Sequence, residues 1–461
     1  MSIRTTLVTA GCAALVLAAV QIHARPQAIP AGNSVRQFAY LTASNTEGSD
    51  HFGCGGSLPG HTGNAVAISG DGNTIAIGAP HESSGARGIN GNQLDNSTYN
   101  AGAVYVYARR RGALMQQAYI KASNTGRKGE GDDIEGDQFG FSIAVSGDGN
   151  TLAAGAISED SVAKGLNGAQ QNDAASSAGA VYVFTRAGSA WSQQAYVKSA
   201  NNEAGDLFGY GVALSANGSS MAVAAYDEDG SGRSVNPADD NGNNGTGAIY
   251  AFERATGAWR QTGYFKGSRS QRNDALGYAV TMSADGNTIA AGAGEEGCLV
   301  GGVNPQGCDA ETFPSHLAAG SVGAVYVWTK AGNTWREQAF LKPAAPDIED
   351  WFGVRLALSA DGNALVVGAS MEDGAAAGVN GREDDDSAQD SGAAYLFTRH
   401  AGAWRQHSYI KGSNADAFDE FGVSVAISGD GRMMVVGART EAGQDNATPE
   451  AGAAYLFAIE D

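Results

Sequence analysis

The sequence predicts an all-β chain, a six-bladed β-propeller of four-stranded antiparallel blades, and three observations carry that expectation. One motif recurs six times, side chains grow in size from the first strands of each repeat to the last, and a strand missing from the final repeat is available near the N-terminus. The clearest copy of the motif, residues 139–156, reads Phe-Gly-Phe-Ser-Ile-Ala-Val-Ser-Gly-Asp-Gly-Asn-Thr-Leu-Ala-Ala-Gly-Ala. The six copies begin at Phe52, Phe139, Phe208, Leu276, Phe352 and Phe421, so successive starts lie 87, 69, 68, 76 and 69 residues apart. In a chain of 461 residues, such a period outweighs the two or three domains that length alone suggests.

Within each repeat the pattern is strand, tight turn, strand, long polar loop, strand, short turn, strand. In the second repeat the strands are expected over residues 141–146, 151–156, 179–185 and 191–198, each short and rich in Val, Ala, Tyr and Phe. Asp148-Gly149 between the first two suits a two-residue hairpin, and Asp-Gly stands in the same place at 71–72, 285–286, 361–362 and 430–431, with Asn217-Gly218 in the third repeat. Small residues fill the first two strands, whereas pairs such as Tyr182 with Phe184 and Tyr326 with Trp328 fill the third. Radially packed blades crowd near the axis and widen towards the rim, which accounts for this gradient. The last repeat stops after its third strand, and residues 37–45, Gln-Phe-Ala-Tyr-Leu-Thr-Ala-Ser-Asn, read like fourth strands such as 117–124. They are expected to complete the last blade, closing the ring, hiding both sheet edges and making residues 35–461 one domain. The short turns then share one face, and the long loops share the other, where binding residues of repeat proteins commonly gather.

Residues 1–24 read as a signal peptide: Arg4, an apolar run from Leu7 to Val20, and Ile22-His23-Ala24 before cleavage. The run is shorter than the roughly 20 apolar residues that span a bilayer, and no later stretch approaches that length. The expectation is an exported monomer in the periplasm, at the cell surface or outside the cell. A net charge of −20 repels nucleic acid. With Cys12 removed, Cys298 and Cys308, ten apart in one loop, are expected to form a disulfide, which leaves Cys54 unpaired.

The recurrence of Phe-Gly and Gly-Ala resembles the FG-GAP repeat family, which includes the N-terminal propeller of integrin alpha chains and bacterial secreted and surface proteins. It rests on Phe139-Gly140 with Gly155-Ala156, Phe52-Gly53 with Gly78-Ala79-Pro80, Phe352-Gly353 with Gly368-Ala369 and Phe421-Gly422 with Gly437-Ala438; the copies at Leu276 and Phe208 have drifted. The resemblance implies a propeller used for binding, often adhesion or carbohydrate recognition, and usually not catalysis. Two departures matter. The turn Ser-Gly-Asp-Gly-Asn is too short to offer alternating calcium ligands over about nine to twelve residues, so the family's calcium sites do not transfer. Integrin-type propellers have seven blades, the alternative to the six counted here.

An aspartate stands two residues before each Phe or Leu, at Asp50, Asp137, Asp206, Asp274, Asp350 and Asp419. Its expected work is structural, accepting backbone N–H groups as the chain turns into the first strand; the alternative is a ring of carboxylates holding cations at the axial opening. The second-to-third loops are acidic, and Asp227, Asp229, Asp239, Glu372, Asp373, Asp384, Asp385 and Asp386 are the candidate ligands for a calcium ion, the one cofactor considered. Trp191, Trp259, Trp335 and Trp404 recur at one strand position and are expected to fill core, while Trp351 belongs near the long-loop face. Lys121, Lys198, Lys266, Lys342 and Lys411 end the fourth strands and are expected to blunt exposed edges. The histidines occupy no repeated or paired position and no catalytic motif is present, so the chain is not read as an enzyme. The expected function is a secreted or surface binding propeller whose acidic long-loop face takes a protein or glycan. The alternatives are a polysaccharide-acting lyase or hydrolase and a passive envelope scaffold. If the loop acids hold calcium, millimolar calcium raises the melting midpoint by several degrees over chelator, and neutralising Asp384, Asp385 and Asp386 removes the rise.

Overall fold

Six blades of antiparallel strands stand in a ring in the computed structural model, which describes residues 39–58, 61–126, 136–308, 320–442 and 450–460; no helix occurs among them. Blade one comprises Val66–Ile68, Thr74–Ala79, Ala103–Arg110 and Ala113–Ile120; blade two Phe139–Val145, Thr151–Ala156, Ala180–Ala187 and Ala190–Val197. Blade three comprises Phe208–Leu214, Ser220–Ala225, Ala248–Ala255 and Ala258–Phe265; blade four Leu276–Met282, Thr288–Ala293, Ala324–Ala331 and Thr334–Leu341. Blade five comprises Arg355–Leu358, Ala364–Ala369, Ala393–His400 and Ala403–Ile410. Blade six has three described strands, Phe421–Ile427, Met433–Ala438 and Ala453–Ala458. Each sheet is a meander in sequence order. Blade one alone inserts a small hairpin, Gly55–Leu58 with His61–Gly63, into its first strand.

The motif glycines set the spacing between blades. A Cβ added at Gly155, in the Gly-Ala of blade two, would collide with the carbonyl oxygen of Gly209, in the Phe-Gly of blade three; Gly78 with Gly140, Gly292 with Gly353 and Gly368 with Gly422 repeat the contact. Blade three carries Ala224 at this place, and its neighbour Gly277 opens to φ 115° where Gly140, Gly209, Gly353 and Gly422 lie at 89–97°. Each junction then buries the aliphatic face of one blade against the aromatic face of the next, as Val104 and Val106 do against Tyr182 and Phe184. The motif Phe139 is fully buried, with ring centroids 5.4 Å from Tyr182 and 6.1 Å from Phe184. On the short-turn face, backbone bonds run from turn to turn around the axis: Gly70 N–H to Gly147, Asp148 to Ala216, Ala216 to Ala284, Ala284 to Ala360 and Ala360 to Gly429. Of each Asp-Gly pair only the glycine has positive φ, 69° at Gly149. Asp148 instead acts through its side chain, accepting the Asn150 N–H at 2.9 Å and the Ser146 hydroxyl.

The expected closing strand falls mostly outside the described residues. Gln37 and Phe38 lie outside the described residues, and residues 39–45 form no ladder with Ala453–Ala458, whose described partner is Met433–Ala438 alone. Leu41 and Ala43 pack on the aromatic face of blade one, and Asn45 bonds there to Glu82 and Tyr105, as the fourth-strand tail of blade one, through Asn124, bonds to Glu159 and Tyr182 of blade two. The described N-terminal residues thus take the place of a preceding blade's tail, as a strand completing the last blade requires, while most of that strand lies outside the described residues.

The strand-ending lysines do not blunt edges. Lys121, Lys198, Lys266, Lys342 and Lys411 are fully buried, each paired with the glutamate that begins the second-to-third loop: Glu82 at 2.6 Å, Glu159 at 2.7 Å, Glu228, Glu296 at 2.6 Å and Glu372 at 2.7 Å. In blade two Glu159 also accepts from Tyr196 at 2.8 Å and from Asn124 at 2.9 Å, so one carboxylate ties its own loop and outer strand to the preceding blade. The outer edges are covered by the long loops themselves. Ile89 bridges to Ile120, and Asn90, at φ 56°, donates to the Tyr119 carbonyl and accepts its N–H, a pattern repeated at Leu166 with Asn167 and Val379 with Asn380.

Blade four is the exception. Phe340 replaces the network tyrosine and Arg269 stands where the tails leading into blades one, two, three and six carry Asn45, Asn124, Asn201 and Asn414, and the buried Tyr326 hydroxyl is left without a partner. Thr262 likewise replaces the glutamine that accepts the indole N–H of Trp191, Trp259 and Trp404, and the Trp335 indole is unpartnered. The long loop of this blade is the one stapled by Cys298–Cys308, with Cα atoms 5.5 Å apart. Cys54 is also disulfide-bonded in the full-length chain, which leaves untested its expected free state once the signal peptide is removed.

The buried pairs make a sharp prediction. Lys198→Met leaves Glu159 charged and unpaired at 1 % exposure and should cost about 3–5 kcal/mol. The double variant Glu159→Leu with Lys198→Met should recover most of that loss, measured as denaturant midpoints of both variants against wild type.

Candidate binding site at the axial mouth

The residue before each motif Phe or Leu and the second residue after each Gly-Ala lie at the same end of the two innermost strands, on the long-loop face around the axis. The first set is His51, Gln138, Leu207, Ala275, Trp351 and Glu420; the second is His81, Ser158, Asp227, Glu295, Met371 and Thr440. Backbone bonds hold them side by side, Ser158 N–H to the Asp137 carbonyl at 3.3 Å, Asp227 to Asp206 at 3.3 Å and Thr440 to Asp419 at 3.3 Å. Every member of the first set has positive φ, between 53° and 57°, which costs non-glycine residues about 1 kcal/mol or more. The frame enforces it from both sides: Gln138 N–H bonds to Asn100 and its carbonyl accepts from Phe141, and Leu207 and Trp351 repeat this.

The aspartates before the motif belong to that frame. Each accepts a backbone N–H on Oδ2: Asp50 from Glu47 at 3.1 Å, Asp137 from Gly126 at 2.9 Å, Asp206 from Glu203 at 2.8 Å, Asp274 from Gln271 at 2.6 Å, Asp350 from Asp347 at 2.9 Å and Asp419 from Asp416 at 2.7 Å. All six are buried. Burial pushes Asp137 up to about 7 and Asp206 and Asp350 to about 8, with the neighbouring Glu159, Glu228 and Glu372 adding to the rise against the N–H bond each accepts.

Within the mouth two groups stand out; sequence reasoning had placed only Trp351 on this face and missed the rest. An arc of aromatic rings crosses blades two to five: Phe141 to Tyr210 at 5.2 Å, Tyr210 to Tyr226 at 4.7 Å, Tyr226 to Tyr278 at 5.5 Å and Tyr278 to Trp351 at 5.8 Å. Phe141, Tyr210 and Tyr278 are buried; Tyr226 and Trp351 are half-buried, and the Tyr226 hydroxyl donates to Glu295 at 3.0 Å. Asp227 is exposed beside them, its carboxyl up to about 6 through partial burial and the charges of Asp229 and Glu295. On the opposite flank His51 and His81 have ring centroids 4.2 Å apart, and burial lowers both, His81 to about 4. The signal for these groups was present in the fixed offsets from Phe-Gly and Gly-Ala, which bring residues 30 apart in sequence, such as 51 and 81, into contact.

The candidate calcium ligands are dispersed. Glu372 is committed to Lys411 and Tyr409, and Asp373 accepts the Asp390 N–H at 2.7 Å. Asp229 accepts the Gly245 N–H at 2.8 Å, Asp239 takes the Asn201 amide at 2.9 Å, Asp384 pairs with Arg382 at 3.1 Å and Asp385 accepts from Ser387 at 2.7 Å; Asp386 is exposed on the same loop. Among the described residues no group of three or more His, Cys, Asp or Glu side chains is arranged to hold a metal ion.

Fold and site together define a repeat propeller with a variable mouth on an invariant frame. Residues 335–397 and 404–457 match the FG-GAP repeat family, and the ring of six blades fits an FG-GAP repeat propeller. No curated protein matches the chain.

The raised aspartates set the sign of a pH dependence. Asp137, Asp206 and Asp350 bind protons in the folded chain near pH 7–8 but only near 3.8 when unfolded, so their contribution is lost as pH rises through 7–8. His81 acts oppositely, but only as pH falls below its ordinary 6.5. The melting midpoint should therefore rise as pH is lowered from about 8.5 to 6.5, and Asp206→Asn should flatten the slope in differential scanning calorimetry.

Proposed function

We propose that the chain is a binding propeller whose partner, a protein or a glycan, seats across the axial mouth of the long-loop face. One observation carries this. Frame positions hold nearly the same residues in all six blades, whereas neighbouring mouth positions hold His, Gln, Leu, Ala, Trp and Glu in one set and His, Ser, Asp, Glu, Met and Thr in the other. A purely structural ring has no use for six different side chains at one strained backbone position, while a recognition surface does. The half-buried faces of Trp351 and Tyr226, with the carboxylates of Asp227 and Glu295 alongside, offer an apolar platform edged by hydrogen-bond acceptors, which suits a sugar ring or an aromatic-rich protein contact. The disulfide Cys298–Cys308 fits export to an oxidising compartment.

The test is a glycan array probed with wild type and with Trp351→Ala. Signals that fall at least tenfold in the variant place the ligand at the mouth, and a blank array with and without calcium removes the glycan version. Release of reducing ends or unsaturated products from the same polysaccharides would replace binding with turnover at Asp227 and Glu295.

A further inference from the structure

We propose that the axial mouth takes a glycan ending in a uronic acid, and that Arg355 on the floor of the mouth receives its carboxylate. This rests on the binding reading above and names the class of ligand. Arg355 pairs with Gly368 in the ladder of blade five, and the matching places in the other blades hold Ala65, Ser142, Gly211, Ala279 and Ser424. Those small neutral side chains suit the narrow slit beside the next blade, where the Ser142 hydroxyl donates to the Gly209 carbonyl at 2.6 Å. An arginine is too long for that slit. Its guanidinium runs out to the axis instead: Nε donates to the Val423 carbonyl of blade six at 3.1 Å, Nη1 donates to the Val354 carbonyl of its own blade at 2.7 Å, and Tyr278 of blade four and Tyr210 of blade three face it. Val423, Val354, Tyr278 and Tyr210 each directly follow a motif glycine, so one side chain meets four blades at a single level just inside the mouth.

The frame has no need of a charge there, since five blades manage with Ala, Ser or Gly. Burial lowers the pKa of Arg355, yet an arginine stays charged at any physiological pH, and the side chain is half-buried and not sealed, so it is reached from the mouth. A guanidinium held by carbonyls at a fixed angle suits the flat fork of a carboxylate. Trp351, four residues earlier at the rim, is also half-buried, with its ring 5.8 Å from Tyr278. A sugar ring stacked on this indole carries a carboxylate on a short stem towards Arg355. Among the mouth acids, Glu420 is engaged by Arg439 and Glu295 by the Tyr226 hydroxyl, while Asp227 on blade three offers an acceptor for sugar hydroxyls. A net charge of −20 disfavours a long polyanion, so a single recessed cation matches one terminal uronate.

Isothermal titration of the folded protein with trisaccharides ending in glucuronate or galacturonate, each beside its carboxyl-reduced neutral counterpart, tests the assignment. The expected result is binding of at least one acidic form, at least tenfold weaker binding of its neutral counterpart, and a loss of at least tenfold for the acidic form alone in Arg355→Gln. Circular dichroism confirms the fold of the variant; if it fails to fold, Arg355→Lys, which keeps the charge without the fork, and the acid-to-neutral ratio on wild type decide. Equal binding of acidic and neutral forms, lost in Trp351→Ala but kept in Arg355→Gln, would overturn the carboxylate site and leave the mouth as a glycan site. Absence of sugar binding with capture of a Glu-rich peptide that Arg355→Gln abolishes would overturn the glycan in favour of a protein carboxylate.

Discussion

The contact on which the rest of the structure depends is the one between glycine of Gly-Ala in one blade and glycine of Phe-Gly in the next. Backbone meets backbone there, which no side chain would allow, and the separation it sets decides how much space lies between blades for everything else. With that distance fixed, an aliphatic sheet face and an aromatic one fill the gap completely, as the fully buried Val104, Val181, Tyr182 and Tyr250 show. The drifted third repeat obeys the same rule: Ala224 adds one methyl group, and Gly277 answers by opening its backbone.

A second layer of order is electrostatic. Each of the first five blades buries a lysine–glutamate pair, and such pairs stabilise little by themselves because desolvation offsets their attraction. Their value here is geometric. In blade two, a carboxylate that must satisfy Lys198, Tyr196 and Asn124 at once tolerates only one arrangement of loop, outer strand and preceding tail. Where blade four lacks the tyrosine and the asparagine, a covalent bond holds the loop, and the orphaned Tyr326 hydroxyl and Trp335 indole mark what was given up.

Much of this was legible in the sequence. The period, the hairpin turns and the size gradient follow from local rules, so the six blades could be counted before any coordinates. The lysines could not be placed that way, because a lysine at a strand end reads as an edge device until its partner, about 40 residues earlier in each repeat, is seen beside it. The place of the N-terminal segment was legible as well: residues 39–45 carry the pattern of a strand-four tail and take that tail's contacts on blade one. The loop acids were counted in the sequence, but the N–H groups and lysines they bond to were not visible there. Apart from Trp351, the mouth went unseen because its residues share nothing except their position.

That shared position has a consequence of its own. The backbone at residues 51, 138, 207, 275, 351 and 420 is strained to the same degree whether the side chain is Ala or Trp, because the strain is imposed by the flanking frame and not by the side chain. Where the side chain faces the opening, as half-buried Trp351 does, its exchange bears on what the molecule touches and not on the frame, whereas the buried Ala275 has no room for a larger group. The open positions among the six thus behave as sockets on a common chassis.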